Sequence, residues 1–258
     1  MSAVPAPRSV VGLPSWRRQA SILGDRYIDL MLGDLTTLLL LIAQAPVIGA
    51  LCVLVWGGIE RDTDSLYFVL ALTSVWFGCI NACREIVKER SILERERLFG
   101  LSTAAYVMSK AQVLFVIDLI QVALLLGVVE SRIGLRGNLL WQALALAGCA
   151  AAGTGLGLLV SALSRRQEFA VAAVPLLILP QILFSEFALP RENFSTAVEW
   201  IERFMPVKWG YRVFTEAVKS EVGYGWIALS LGVLVVMTLA LHLASVLVLR
   251  ASSSEDFL

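Results

Sequence analysis

Long apolar runs separated by charged segments restrict what this sequence can fold into. A helix needs about 20 apolar residues to cross a hydrocarbon core about 30 Å thick. Six runs are long enough: 35–56, 66–82, 107–129, 139–163, 169–189 and 226–249. Hydrophobic residues make up 58% of the chain and charged residues 16%, so a soluble fold would leave apolar surface unburied. The sequence therefore predicts an all-α integral membrane protein with six transmembrane helices, in a single domain covering residues 1–258.

The distribution of basic residues predicts which ends of the spans face the cytoplasm. Lysine and arginine are enriched in cytoplasmic loops. With the termini inside, 13 of the 21 Lys and Arg residues fall on the inner side and 8 on the outer side. An even number of spans puts both termini on one side of the membrane, so we predict both in the cytoplasm. The net charge of zero gives no indication of a nucleic-acid partner.

Three segments outside the apolar runs have patterns that predict structure outside the transmembrane helices. Apolar residues in 14–32 recur at three- and four-residue steps, which is typical of an amphipathic helix in the membrane interface, and Pro14 suits a helix start. The segment 84–97 is charged at nine of its fourteen positions. Residues 190–225 form an outer excursion with an amphipathic stretch at 196–204. We therefore predict an interfacial helix, a charged cytoplasmic helix, and an outer re-entrant or amphipathic segment before the last span.

The charged segment 84–97 leads from the second span towards the third. On a helix, Glu89 and Glu96 are seven residues apart and share a face, and Arg90 can pair with Glu94 at four-residue spacing. A solvated helix with internal ion pairs is one interpretation of this pattern. A rigid docking surface for a soluble partner is the other, and the pattern alone leaves both open.

Residues that could carry catalysis or bind a metal are scarce in this chain. The nearest match to a phosphate-binding loop, 148–154, lacks the lysine and lies in an apolar run. Its glycines predict close helix packing instead, since Gly153 and Gly157 form a G-x-x-x-G pair. The four cysteines lie in or beside apolar runs and there is one histidine, so we expect no disulfide and no histidine-based metal site. The sequence predicts no catalytic residue, no metal and no cofactor bound by this chain.

Polar residues at membrane depth open a different possibility. A carboxylate in the middle of a span is costly and marks a candidate functional residue. Asp118 lies in the middle of the third run, with Gln121 one turn further on. Asp118 can act on a substrate or a proton, or it can be paired inside the bundle. Together with Glu186 and His242, it supports the alternative of an ion- or proton-coupled carrier.

Motifs spread along the chain resemble one family of membrane transporters. In chain order, the matching residues are Gln19, Arg26 and Asp34, then Val47-Ile48-Gly49-Ala50, Glu89-Arg90, Arg95-Glu96, Tyr106, Lys110, Phe184-Ser185, Trp200-Ile201 and Met205-Pro206. Their order and spacing over nearly the whole chain resemble the transmembrane domain of the ABCG (White) type of ABC exporter, within the ABC type 2 permeases.

The resemblance implies roles for particular residues. The segment 14–32 becomes a connecting helix with Gln19 and Arg26, and 84–97 becomes a coupling helix that docks on an ATPase. The residues implied in that coupling are Glu85, Glu89, Arg90, Arg95 and Glu96. Those implied in a substrate cavity, between the second and fifth spans of two facing subunits, are Leu70, Ser74, Phe77, Pro175, Ile178 and Leu179. Those implied in an outer gate are Glu186, Phe187 and Ala188, with Glu186 standing where the family usually has glycine.

The function that the resemblance implies is that of a permease subunit. We expect a homodimer in a bacterial inner membrane, surrounded by lipid, that moves a hydrophobic or lipid-like substrate outward. ATP and Mg²⁺ are expected on a partner ABC ATPase, because residues 1–258 carry no nucleotide-binding domain. That ATPase is either a separate polypeptide, which the short tail from Met1 favours, or part of a longer fusion. The alternatives are the ion- or proton-coupled carrier, and a non-transporting scaffold that recruits a soluble partner through 84–97.

Overall fold

Helices provide the regular structure of the computed structural model, which describes residues 15–59, 64–188, 192 and 194–255. In chain order they are α1 (Trp16–Gly33), α2 (Leu35–Trp56), α3 (Asp64–Ala82), α4 (Arg90–Leu98), α5 (Thr103–Glu130), α6 (Leu139–Leu163), α7 (Gln167–Leu183), α8 (Thr196–Glu202), α9 (Pro206–Val218) and α10 (Tyr224–Glu255). A short 3₁₀ turn, Val87–Glu89, precedes α4. These described residues contain no strand, and the predicted all-α fold is confirmed. Of the predicted boundaries, Pro14 and Leu189 lie outside the described residues.

Within the described ranges, five helices are long and apolar enough to cross a membrane, namely α2, α3, α5, α6 and α10. The other predicted run, 169–189, forms α7, which has 17 residues and ends at Leu183. At ~1.5 Å per residue, α7 is about 25 Å long, which is shorter than the hydrocarbon core. Pro175 and Pro180 lie inside α7 and cannot donate backbone hydrogen bonds, and the chain turns at Phe184. The fifth apolar helix is therefore shorter than predicted.

Polar side chains set where several of these helices begin. Asp34 accepts a hydrogen bond from the Thr37 N–H at the start of α2. Ser102 accepts a hydrogen bond from the Ala105 N–H at the start of α5, and Asn138 accepts one from the Leu140 N–H at the start of α6. Such caps satisfy backbone donors that the first helical turn leaves unpaired. They place the helix ends more sharply than the hydropathy of the runs can.

Glycines allow α3 and α6 to pack with their backbones in contact. A Cβ atom on Gly78 would lie 2.0 Å from the carbonyl oxygen of Ala150, and one on Gly153 would lie 2.2 Å from that of Val75. Gly157 meets α3 in the same way, while Gly148 and Gly155 face leucine side chains of α10. The structure thus supports the predicted packing role of the glycines in 148–157. It makes α3 and α6 one closely packed unit at the centre of the bundle.

The outer excursion folds back onto this unit as two short helices. The predicted amphipathic stretch 196–204 forms α8, and α9 follows it with a proline in its first turn. Phe214 of α9 stacks on Tyr67 of α3 with ring centroids 5.1 Å apart. Gly210 lies so close to α6 that a Cβ there would clash with the Cys149 sulfur. The end of the bundle at which α3 begins is therefore covered by α9.

Candidate functional site

The charged segment that follows α3 is not one continuous helix. Residues 83–86 form turns, the 3₁₀ turn spans Val87–Glu89, and α4 begins only at Arg90. Glu89 itself has φ −111° and ψ 10°, which lies outside helical geometry. Consequently Glu89 and Glu96 do not share a helical face, and the expectation from their spacing is wrong. Glu89 points into the bundle and Glu96 points towards α1.

A cluster of buried charged and phenolic side chains lies at the end of the bundle where α5 begins. The Lys110 Nζ atom is 2.8 Å from a carboxylate oxygen of Glu89 and 3.9 Å from one of Glu85. The Tyr27 hydroxyl donates to Glu85 at 2.5 Å, and the Tyr106 hydroxyl donates to Glu89 at 3.2 Å. The Lys110 ammonium also lies 3.7 Å from the centroid of the Tyr27 ring. We call these five residues the buried charge cluster; it joins α1, the segment after α3, and α5.

The charges of this cluster are close to balanced. Lys88 donates to the second oxygen of Glu85 at 2.7 Å, so two carboxylates face two ammonium groups. The Lys110 side chain is only 3% exposed, and a charge so buried is tolerated only when it is paired and hydrogen-bonded. Burial, reinforced by the Glu85 carboxylate, raises the pKa of the Tyr27 phenol well above its ordinary value. Tyr27 therefore stays protonated at neutral pH and remains a hydrogen-bond donor.

Further bonds tie the segment 84–98 to the helices around it. Arg26 of α1 pairs with Glu96 of α4 at 2.6 Å, and this hydrogen bond raises the pKa of the Arg26 guanidinium. Gln19 of α1 accepts from the Ser102 N–H at 2.9 Å, at the start of α5. Arg90 donates to the Ser164 carbonyl at 2.9 Å, just beyond α6. Because these contacts come from different helices, the segment is held as part of the bundle.

The bonds to α6 and α10 include groups that sequence reasoning missed. The Ser161 hydroxyl accepts from the N–H groups of Ile86 and Val87 at 2.9 and 3.0 Å. Arg97 donates to the Leu249 carbonyl of α10 at 2.7 Å. No motif singles out Ser161, because its partners lie 74 and 75 residues away. Lys110 gave a usable signal, since a lysine so near the start of an apolar run requires a partner.

One side of α4 remains at the surface of the chain. Ile92, Arg95 and Leu98 recur at three-residue steps and are exposed, and Phe99, just beyond the helix, is 83% exposed. We call these four residues the exposed face of α4. An apolar group that is so exposed beside charged neighbours is typical of an interaction surface. Among the residues implied in coupling, Arg95 belongs to this face, while Glu85 and Glu89 are buried.

The residues implied in the substrate cavity divide into two groups. Leu70, Ser74 and Phe77 are fully buried within this chain, in the core of the bundle. Ile178 is also buried, whereas Pro175 and Leu179 are exposed on α7. Beyond the first turn of α3, the side chains that stay partly exposed are Val69, Leu72, Trp76 and Ile80. A cavity role for the buried residues stays a prediction, and the surface that α3 offers beside α7 is the one formed by those four.

The residues implied in the outer gate lie beside a pocket of about 300 Å³ at the outer end of the bundle. Phe187 packs on Phe68 with ring centroids 4.6 Å apart and meets Tyr211 edge-on at 5.3 Å. Glu186 lines the same pocket, and Ala188 is exposed. Phe187 is thus in contact with α3 and α9.

A separate polar network connects four helices inside the bundle. Asn81 donates to Asp118 at 3.0 Å and to Gln121 at 2.7 Å. Thr154 donates to the other oxygen of Asp118 at 2.6 Å, and Gln121 donates to the Leu41 carbonyl at 2.6 Å. Asp118 is therefore paired inside the bundle, in agreement with one of the two interpretations of its position. No group of three or more His, Cys, Asp or Glu residues in the described ranges is arranged to hold a metal ion.

Two similarities to known proteins cover most of this chain. A family profile described as ABC-2 type transporter matches residues 18–218, which include the whole buried charge cluster. The chain is also similar to the ABC transporter ATP-binding/permease protein Rv1747 of Mycobacterium tuberculosis, with 24% identity over 213 residues. That similarity covers 75% of this chain and 24% of the relative, so the chain spans about a quarter of the relative's length.

Proposed function

The chain belongs to the ABC-2 type transporter family, and from this premise we propose that it is the membrane-spanning permease subunit of an ATP-driven exporter. An ABC ATPase binds ATP and Mg²⁺ and supplies the energy. The permease contributes the pathway and the surface on which the ATPase docks. In this arrangement both termini and the segment 84–98 lie in the cytoplasm of a bacterial cell.

The observation that carries the proposal is the buried charge cluster together with the exposed face of α4. The cluster fixes the segment 84–98 to α1 and α5 through Glu85, Glu89 and Lys110. The exposed face then offers Phe99 and Leu98 to a partner. A force applied to α4 by an ATPase is transmitted to the spans, because α4 follows directly on Glu89, whose bonds to Lys110 and Tyr106 are buried and directional. Such an arrangement is what an ATP-driven permease requires.

The direction and class of substrate rest on two further observations. The chain's motifs are similar to those of ABCG-type exporters, which favours outward transport. The exposed side chains on α7, Pro175 and Leu179, and the partly exposed Leu72 and Trp76 on α3 are apolar or aromatic. Facing a second copy of the chain, these residues would form an apolar cavity, which suits a hydrophobic or lipid-like substrate. We therefore propose a homodimer with its pathway between α3 and α7 of the two copies.

Docking can be tested by purifying the complex. The chain and its cognate ABC ATPase are co-expressed, and the amount of ATPase that co-purifies with a tagged chain is measured. We expect Phe99→Asp to reduce co-purification strongly, because a charge replaces an apolar side chain at the proposed contact. Ile59→Asp is the matched control, since Ile59 is also an exposed apolar residue but lies at the opposite end of α2 and α3. Equal co-purification by both variants would contradict docking through this face.

The alternatives predict different outcomes. A carrier driven by protons would transport without any ATPase, but Asp118 is enclosed by Asn81 and Thr154. A scaffold would bind the ATPase through the exposed face of α4 without changing its activity. The rate of ATP hydrolysis is measured for the purified ATPase alone and for its complex with the permease. An equal rate indicates a scaffold, and a changed rate indicates a coupled transporter.

A further inference from the structure

A large apolar groove lies on the membrane-facing side of α1, outside the proposed transport pathway. It has a volume of about 740 Å³ and is enclosed by α1, α2 and α5. Its walls include Ile28 and Met31 of α1, Ile42 of α2, and Val116 and Ile120 of α5. Along α5 the lining of the groove extends from Met108 to Ile120. With α5 spanning a membrane, the acyl chains of one leaflet would reach this groove.

The sequence of α1 keeps this groove open. Ala20 and Gly24, four residues apart, lie on one face of the helix and line the groove with Ser21 between them. A Cβ atom on Gly24 would meet nothing within 4 Å, so this glycine does not serve contact with another part of the described chain. Glycine in a helix interior is disfavoured relative to alanine. In the groove, this glycine leaves room for an atom group from outside the chain.

Positive charge is concentrated at one end of the groove. Arg17 lines it and Arg18 is adjacent; both are exposed in the first turn of α1. Ser15 makes no capping bond through its side chain, and the first turn of a helix is a favourable place for an anion. Asp25, which also lines the groove, and Asp29 lie about two turns or more away along the helix. The charge of α1 is thus divided along its length, with the basic end at Trp16–Arg18.

A single polar residue interrupts the apolar surface of α5 at the groove. Between Met108 and Gly127, Gln112 is the only polar side chain among the exposed residues of α5, and it lines the groove. An amide on a lipid-facing surface is unfavourable unless it has a hydrogen-bonding partner. The ester carbonyls of a phospholipid accept hydrogen bonds and can provide that partner.

From these observations we propose that the groove binds one anionic phospholipid of the leaflet in which α1 lies. The phosphate faces Arg17 and Arg18, an ester carbonyl accepts from Gln112, and one acyl chain fills the space beside Gly24. Tyr27 of the buried charge cluster is seven residues from the groove-lining Ala20, so it lies beside the groove on α1, and the bound lipid packs next to that cluster. The proposal needs only that the chain lies in a membrane, and it does not depend on transport.

The test is a competition between lipids on the purified full-length chain. Native mass spectrometry counts the phosphatidylglycerol and phosphatidylcholine molecules retained when both are offered at equal concentration. An arginine near an anionic headgroup favours it by roughly fivefold. We expect wild type to prefer phosphatidylglycerol, and the double variant Arg17→Gln/Arg18→Gln to lose about twenty-five-fold of that preference. An unchanged preference in the double variant would overturn the proposal.

Filling the groove provides the second arm of the test. Gly24→Trp should remove one tightly retained lipid, because the indole occupies the space of the acyl chain. Gly232→Trp is the matched control: Gly232 is a glycine of α10 with nothing within 4 Å of its Cβ position. Should Gly24→Trp fail to fold, Val116→Trp fills the groove from α5. If the groove variants retain as many lipid molecules as wild type, the groove holds no specific lipid. The same conclusion follows if Gly232→Trp loses as many lipid molecules as the groove variants do.

Discussion

Replacing Lys110 by methionine should strongly destabilise the protein, because it leaves the buried Glu89 carboxylate without its ion-pair partner and removes one of the two ammonium groups that face Glu85. The Lys110 ammonium lies 2.8 Å from Glu89 and 3.9 Å from Glu85. With an effective dielectric constant of about 20, these separations correspond to gross attractions of about 6 and about 4 kcal/mol. Much of that attraction offsets the cost of removing the charges from water. Removing one partner of a buried pair typically costs about 3–5 kcal/mol, and we expect about 4 kcal/mol here.

The assay is equilibrium unfolding of the purified chain in mixed micelles, followed by loss of helical circular dichroism. Lys88→Met is the control, since the Lys88 side chain is 37% exposed and such screened pairs contribute about 0–1 kcal/mol. The double variant Lys110→Met/Glu89→Gln removes both charges and should recover most of the loss. If Lys110→Met costs no more than Lys88→Met, the reasoning about the buried charge cluster is wrong.

Three further predictions concern the bundle and the cluster. Gly153→Ala should cost about 1–3 kcal/mol on unfolding, since its Cβ would lie 2.2 Å from the Val75 carbonyl oxygen, whereas Gly127→Ala, which meets nothing, should cost nothing. Asp118→Ala removes one acceptor each from Asn81 and Thr154, which keep Gln121 and the Gly78 carbonyl as their other acceptors. It should cost about 1 kcal/mol more on unfolding than Asp118→Asn, which keeps an acceptor; equal losses in unfolding would contradict this. Because the pKa of the Tyr27 phenol is raised in the folded state, the stability that it contributes is present below its unfolded pKa of about 10 and is lost as pH rises further. Tyr27→Phe should therefore flatten the fall in unfolding temperature above pH ~10, and an unchanged fall would contradict that role.

Hydropathy located the spans because it averages over lengths close to the membrane thickness. The runs 107–129 and 226–249 correspond to Thr103–Glu130 and Tyr224–Glu255. Their ends differ by a few residues, since individual caps such as Ser102 set them. The helix end predicted from the run 169–189 was the least accurate, because apolar residues continue past Leu183 although the helix ends there.

The candidate site was harder to predict, since its contacts join distant parts of the chain. The Tyr27–Glu85 bond spans 58 residues, and no local period reports such a pair. The resemblance to ABCG-type exporters is what implies a cavity role for Leu70, Ser74 and Phe77. In this chain their side chains are buried in the core of the bundle, and the cavity role stays a prediction.

The central claim is that α4 transmits the action of an ATPase to the spans through its bonds within the permease. The most direct test is the rate of ATP hydrolysis by the reconstituted complex, compared between Glu96→Lys and Glu94→Lys. Both glutamates are on α4, but Glu96 pairs with Arg26 of α1 whereas Glu94 is 53% exposed and pairs only within α4 among the described residues. We predict that Glu96→Lys inserts and binds the ATPase but abolishes the permease-dependent change in hydrolysis, while Glu94→Lys behaves as wild type. Normal permease-dependent hydrolysis in Glu96→Lys would contradict the account.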